Sequence, residues 1–235
     1  MAVKGKKVIA VVPARSGSKG LAGKNLSLLR GIPLVTHTLR AARGASLVDE
    51  TWLTSNCDQI LSVGKTERVI CLKRPEDLAS DRASAVGVVE HFLRQLPESV
   101  VLQDPVVVYL QPTSPLRTAR HIDEALGMLK SPGVESLVSV VANDHSPYKF
   151  FRIDGSGLLQ SLFEESLSNA PRQDLPKTYR PNGAIYAFTC SAFERRKGFP
   201  SNGAVPFYMD SASSIDIDTA EDMFLAERTM GADHG

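Results

Sequence analysis

A doubly wound α/β fold around a mostly parallel sheet is predicted by three features of this chain. Short β-branched apolar runs alternate with helix-patterned segments, loops rich in glycine, proline and cations follow those runs, and no internal repeat or low-complexity tract breaks the order. With 235 residues, 43% of them hydrophobic, the chain suffices for one well-buried domain or a domain with a small appendage. Two equal domains are not expected.

The elements follow in chain order. Residues 6–12 form a β-branched apolar run, the composition of a central strand covered on both faces. Helical patterning resumes after Pro33, over 34–43. The runs at 51–54, 68–72, 106–110 and 136–141 read as further strands, and the segments at 58–65, 83–96 and 119–130 as helices between them. From 143 to 180 the alternation stops in a polar string punctuated by Pro147, Gly155, Gly157, Pro171 and Pro176. A long irregular insertion in a compact domain is usually functional, and it would suit an arm reaching a second subunit. The α/β domain is thus expected over 1–142 and 181–235. It resumes with a strand at 183–188 and closes with a helix at 219–230, whose start is marked by Asp218-Thr219 and Glu221-Asp222.

Composition removes several function classes. A formal net charge of +1 gives no basis for broad attraction to nucleic acid or an anionic membrane. Cys57, Cys71 and Cys190 are odd in number, widely spaced and free of C-x-x-C, against a disulfide framework or a cysteine-rich zinc site. The amino terminus shows no apolar leader, and no stretch reaches membrane-span length, so a cytoplasmic chain is expected.

Local charge must therefore carry the function. The loop after the first strand holds Arg15, Ser18, Lys19 and Lys24 among Gly17, Gly20 and Gly23. Glycines let backbone amides approach phosphate oxygens, and the cations compensate their charge. The spacing matches neither G-x-x-x-x-G-K-[ST] nor G-x-G-x-x-G, and by itself the string also fits a solvated turn. Gln111-Pro112-Thr113-Ser114-Pro115-Leu116-Arg117 follows the 106–110 strand, its prolines fixing Gln111, Thr113 and Ser114 as oriented polar groups. The alternative there is a rigid turn with Arg117 bonding nearby carbonyls. Arg74 to Asp81 ends a third strand in the same manner. Along Ser214-Ile215-Asp216-Ile217-Asp218-Thr219 polar and apolar residues alternate, so on a strand Asp216 and Asp218 face one side. Two such carboxylates suit Mg²⁺, which takes one or two carboxylates plus substrate phosphates. The plainer reading is a helix cap at Asp218 and a solvated Asp216. No Ser/His/Asp or Cys/His pairing emerges, and Glu164-Glu165 reads as a solvated pair.

Five motifs in this order, V-P-A-R-S-G-S-K-G-L-A-G-K-N at 12–25, R-P-E-D-L-A-S-D at 74–81, L-Q-P-T-S-P-L-R at 110–117, R-P-N-G-A-I-Y at 180–186 and S-I-D-I-D-T at 214–219, resemble the acylneuraminate cytidylyltransferases over essentially the whole chain. These include the synthetases of CMP-sialic, CMP-legionaminic and CMP-pseudaminic acids. The resemblance implies a Rossmann-like sheet of the nucleotide-diphospho-sugar transferase type with a small dimerisation insertion. It implies transfer of a cytidylyl group from CTP to a nonulosonic acid with Mg²⁺ and release of pyrophosphate, in a homodimer. It assigns Arg15, Lys24, Asp216 and Asp218 to catalysis, the two aspartates also to the metal. Arg15, Ser18, Lys19, Gly20 and Lys24 go to the triphosphate, and Asn25, Arg74 and Ser84 to the cytosine and ribose. Gln111, Thr113 and Ser114 go to the sugar or α-phosphate, and Lys149 and Arg172 to the sugar carboxylate, one of them from a neighbouring subunit. Where the sialate enzymes carry adjacent aromatic residues, this chain has Phe199-Pro200. The competing expectations are another sugar nucleotidyltransferase of the same fold, such as one acting on 3-deoxy-manno-octulosonate, or a silent nucleotide-binding module.

Overall fold

The computed structural model describes residues 3, 5–17, 20–80 and 82–232. Strand β1 (Val8–Pro13) leads through a glycine-rich loop and a small hairpin, β2 (Leu28–Leu29) and β3 (Ile32–Pro33), into α1 (Leu34–Gly44). Next come β4 (Glu50–Ser55), α2 (Asp58–Thr66), β5 (Ile70–Lys73), α3 (Ala85–Gln95), the single turn α4 (Glu98–Val101), β6 (Val106–Tyr109), α5 (Ala119–Met128) and β7 (Ser136–Ala142). The interval before the sheet resumes contains a hairpin, β8 (Phe151–Ile153) and β9 (Leu159–Ser161), and a short helix, α6 (Glu165–Asn169). The chain closes with β10 (Tyr179–Thr189), α7 (Cys190–Arg196), β11 (Val205–Tyr208) and α8 (Ala220–Ala232).

The main sheet has seven strands in the order β11-β7-β10-β6-β1-β4-β5. All its pairings are parallel except those of β10, which runs antiparallel to both neighbours. The prediction of a mostly parallel, doubly wound sheet therefore holds. Alternation along β1 distributes the core to two faces. Val8, Ala10 and Val12 meet Val35 and Leu39 of α1 and Ile122 and Leu126 of α5, whereas Ile9 and Val11 meet Val89 and Phe92 of α3 and Phe193 of α7. Every one of these side chains is buried, and each but Ala10 contributes roughly 1.5–3 kcal/mol if fully transferred from water.

From β1 the chain winds outward to β4 and β5, then returns to the other side of β1 as β6. That reversal is a topological switch point. Its crevice opens at the strands' carboxyl ends, between the loops after β1 and β6.

Two sequence expectations change. The strand expected at 183–188 is the inner part of β10, which starts at Tyr179, so the non-sheet interval ends before 180. Residues 214–218 form no strand: the backbone N–H of Ile217 donates to the Thr113 carbonyl at 2.8 Å, not to a ladder. Strand β11 and helix α7 had no counterpart in the sequence reading. Among the described residues, no helix is long and apolar enough to cross a membrane.

Candidate active site

The switch-point crevice is a cleft of about 290 Å³ lined by Arg15, Lys24, Asn25, Arg74, Gln111, Thr113, Asp216 and Asp218, with Tyr109 and Val88 among its apolar walls. Thus eight residues singled out from four separate stretches of sequence converge on one cavity.

The carboxylate wall is positioned by the residue between its two members. Ile217 is fully buried against Leu29, Leu34 and Ala226 of α8, which leaves Asp216 and Asp218 turned to the open side. The same-side expectation survives without a strand, because one buried isoleucine fixes the alternation. Nor does Asp218 cap the helix. Thr219 Oγ1 accepts from the Asp222 N–H at 3.2 Å, while Asp222 Oδ2 accepts from the N–H groups of Thr219 at 2.8 Å and Asp218 at 3.0 Å, a reciprocal cap that leaves the Asp218 carboxylate free for the cleft. Lys24, itself buried, donates to Asp218 Oδ1 at 2.8 Å and to the Ile217 carbonyl at 2.7 Å. Burial pushes the Asp216 carboxyl up from its ordinary value, opposed by a hydrogen bond from Thr113, with the Asp218 charge adding to the rise. A cation between the two aspartates would relieve both effects. Among the described residues no three histidine, cysteine or acidic side chains converge on a metal site, so such an ion would draw its other ligands from phosphate and water.

The same cleft holds two nitrogen-bearing groups. Arg74 is almost fully buried with Nε and one terminal nitrogen unpaired, and Asn25, whose Nδ2 donates to the Arg15 carbonyl at 2.9 Å, keeps its Oδ1 unpaired. Burial pulls the Arg74 guanidinium below its ordinary pKa. Unpaired buried donors and acceptors are costly, and these border the cleft. A ligand presenting acceptors to Arg74 and a donor to Asn25 would satisfy them together. Gly20 packs against the carboxylate segment: a Cβ there would lie 2.3 Å from the Asp218 carbonyl oxygen, so the loop can close only on a residue without a side chain.

Not every predicted residue reaches the cleft. Ser114 is fully buried and donates to the Asn182 carbonyl at 3.2 Å, a structural tie and not a ligand contact. The Ser84 hydroxyl caps α3, accepting from the Gly87 N–H at 3.0 Å, between cleft-lining Ala83 and Ala85. Lys149 donates to the Ala170 carbonyl at 2.8 Å and Arg172 to the Asp144 carbonyl, both within the arm and away from the cleft. Ser18 and Lys19 lie outside the described residues. Arg117 follows the plainer reading. It is fully buried and donates to the carbonyls of Gln111 (3.2 Å) and Ala184 (2.9 Å), and burial pushes its pKa down to about 9.

Asn182, to which the sequence reading gave no role, is a buried hub. Its Oδ1 accepts from Ser139 Oγ at 2.6 Å and the Ala184 N–H at 3.2 Å, and its Nδ2 donates to Ser214 Oγ at 2.9 Å. It thereby links β7, β10 and the segment leading to Asp216. Asn182→Ala is expected to destabilise the protein by about 2–4 kcal/mol, from groups left unsatisfied and a small cavity. Chemical denaturation checks it; a loss within experimental error would show that water replaces the amide.

The fold and site define a Rossmann-like α/β protein whose switch-point cleft gathers cations, unpaired amide and guanidinium groups and two carboxylates. Residues 9–199 match the profile of the cytidylyltransferase family, and the chain belongs to that family. It is 36% identical to the CMP-N,N'-diacetyllegionaminic acid synthase of Legionella pneumophila, covering 95% of this chain and 96% of that one. It is 33% identical to the N-acylneuraminate cytidylyltransferase of Escherichia coli over 94% of this chain and 51% of that one, and 31% identical to that of Oncorhynchus mykiss over 95% and 50%. The chain thus spans about half the length of these two relatives and nearly all of the Legionella protein. A solved CMP:2-keto-3-deoxy-manno-octonic acid synthetase complexed with CTP superposes with a TM-score of 0.70 at 17% identity, covering 97% of this chain and 100% of that one, a likeness of fold.

Proposed function

We propose that this protein is a cytidylyltransferase that joins CTP to a nonulosonic acid, N-acetylneuraminate or a legionaminate or pseudaminate analogue, giving the CMP-sugar and pyrophosphate. One observation carries the reading: a single cleft brings the unpaired groups of Arg74 and Asn25 together with the cations Arg15 and Lys24 and two carboxylates. Cytosine offers what the first two lack, acceptors at O2 and N3 for Arg74 and an amino donor for Asn25 Oδ1. The names of the sequence relatives supply the acceptor class.

In this reading the anomeric hydroxyl oxygen attacks the α-phosphorus in line while its proton passes to water, the bond from the α-phosphorus to the bridging oxygen of the β-phosphate breaks, and pyrophosphate departs. Arg15 and Lys24 neutralise the leaving group, and Gln111 and Thr113 orient the reacting centre. Alignment alone can contribute roughly 7–11 kcal/mol. Mg²⁺ held by Asp216 and Asp218 would supply Lewis-acid polarisation and make the attacking hydroxyl more acidic. Lys24 must leave Asp218 for the phosphates, a movement of one side chain. The arm exposes Phe151, Ile153, Leu158, Leu159, Leu162 and Phe163, an apolar surface that supports the homodimer reading. The three free cysteines fit the reducing cytoplasm.

Pyrophosphate release with Mg²⁺ and CTP against N-acetylneuraminate, N,N'-diacetyllegionaminate, pseudaminate and 3-deoxy-manno-octulosonate, with other nucleoside triphosphates as controls, tests the proposal. Release is expected with CTP and at least one nonulosonate, and chelation of Mg²⁺ should abolish it. Release with the octulosonate alone would move the assignment to that sugar, and CTP binding without release from any acceptor would favour a silent module.

A further inference from the structure

Asn56 lies just past β4 and just outside the cleft, and both ends of its carboxamide are engaged. Oδ1 accepts from the Ser16 backbone N–H at 3.1 Å, and Nδ2 donates to Ser16 Oγ at 3.0 Å and to Glu76 Oε2 at 2.9 Å. Ser16 adjoins Arg15 in the loop after β1, and Glu76 stands two residues beyond Arg74. The Arg15 guanidinium makes a second, longer crossing to the Ala79 carbonyl at 3.5 Å.

From this geometry we propose that Asn56 is a positioning residue: it locks the loop bearing Arg15 to the segment bearing Arg74, so that triphosphate and base contacts form as one unit. The inference rests on the nucleotide reading above. Its chemistry is selective. Only a carboxamide offers an acceptor to one N–H and two N–H donors to a hydroxyl and a carboxylate at the same time. Aspartate of the same shape would meet Ser16 but bring a second carboxylate against Glu76, whereas Glu76→Gln would restore a donor and an acceptor across that contact.

The test compares the parent with Asn56→Ala, Asn56→Asp, Glu76→Gln and the double variant Asn56→Asp/Glu76→Gln. Readouts are KM for CTP, kcat, and hydrogen exchange at the Ser16 amide. Asn56→Ala should speed exchange at Ser16. It and Asn56→Asp should each raise KM for CTP about tenfold, the loss of roughly one hydrogen bond, with a smaller change in kcat. The double variant should recover most of the Asn56→Asp loss, a coupling that general destabilisation does not produce. Parental KM in both single Asn56 variants, unchanged Ser16 exchange in Asn56→Ala, or a double variant no better than Asn56→Asp would each overturn the proposal. The exchange readout needs no nucleotide. A parent that ignores CTP yet loses Ser16 protection in Asn56→Ala would sink the nucleotide reading and leave the loop tie standing.

Discussion

Asp218→Asn is expected to lower kcat for pyrophosphate release by roughly 10³-fold, about 4 kcal/mol of transition-state stabilisation, while CTP titrated without a divalent cation binds as tightly as to the parent or tighter. The two readouts part because Asp218 faces two partners. As the proposed metal ligand beside Asp216 it would serve the chemical step. Without metal it is the counter-ion of Lys24, 2.8 Å away, and so competes with the triphosphate for that ammonium group. Asparagine keeps the side chain's shape and removes its charge, which leaves buried Lys24 hydrogen-bonded to the Ile217 carbonyl with its charge open to a phosphate. The helix start should not suffer, because Thr219 and Asp222 cap it between themselves. Steady-state kinetics and calorimetry on the same preparation decide the matter. Unchanged kcat would remove Asp218 from the metal site. A metal-free loss of CTP affinity would instead show that the carboxylate holds Lys24 in its binding position.

What could be read from the sequence follows from which forces are local. The parallel strands declare themselves because burial on both faces makes them continuous apolar runs, so β1, β4, β6 and β7 lie within about two residues of their expected bounds. Strand β10 is half hidden because Arg180-Pro181-Asn182-Gly183 reads as a turn, and the pairing indeed shifts register between Pro181 and Tyr186. The site was legible where a charged residue follows a strand, since the carboxyl edge fixes which cavity it meets: Arg15, Arg74, Gln111 and Thr113 all arrive. It was not legible where a hydroxyl could point either way. Ser114 and Thr113 are adjacent in the same loop, yet only the fold turns one into the core and the other to the cleft. Lys149 and Arg172 depended on resemblance alone, and within one chain both bond to arm carbonyls. Asn56 and Asn182 were given no role, because a buried amide's partners come from distant segments of the chain.

Gly183→Ala should lower kcat/KM by about 10²-fold, the scale of a 1 Å misplacement at a reacting centre, through a residue that contacts no substrate. Gly183 has φ +76°, where an alanine costs about 1–2 kcal/mol. A Cβ built there would lie 2.5 Å from Gln111 Oε1 and 3.2 Å from Ser114 Oγ. Ser114 is held in the core by its bond to the Asn182 carbonyl, so the side chain that yields must be Gln111, which lines the cleft. Strain and displacement are separable in a cycle with Gln111→Ala. If the methyl acts by evicting Gln111, the double variant should turn over no more slowly than Gln111→Ala itself, since the eviction has nothing left to move. If the backbone conformation is what fails, the two losses should multiply and the thermal midpoint should fall by the same amount with or without the Gln111 side chain. The first outcome is expected, because 2.5 Å from a side-chain oxygen is a contact that cannot persist, whereas a strain of 1–2 kcal/mol is one that the buried surroundings of this strand irregularity can absorb.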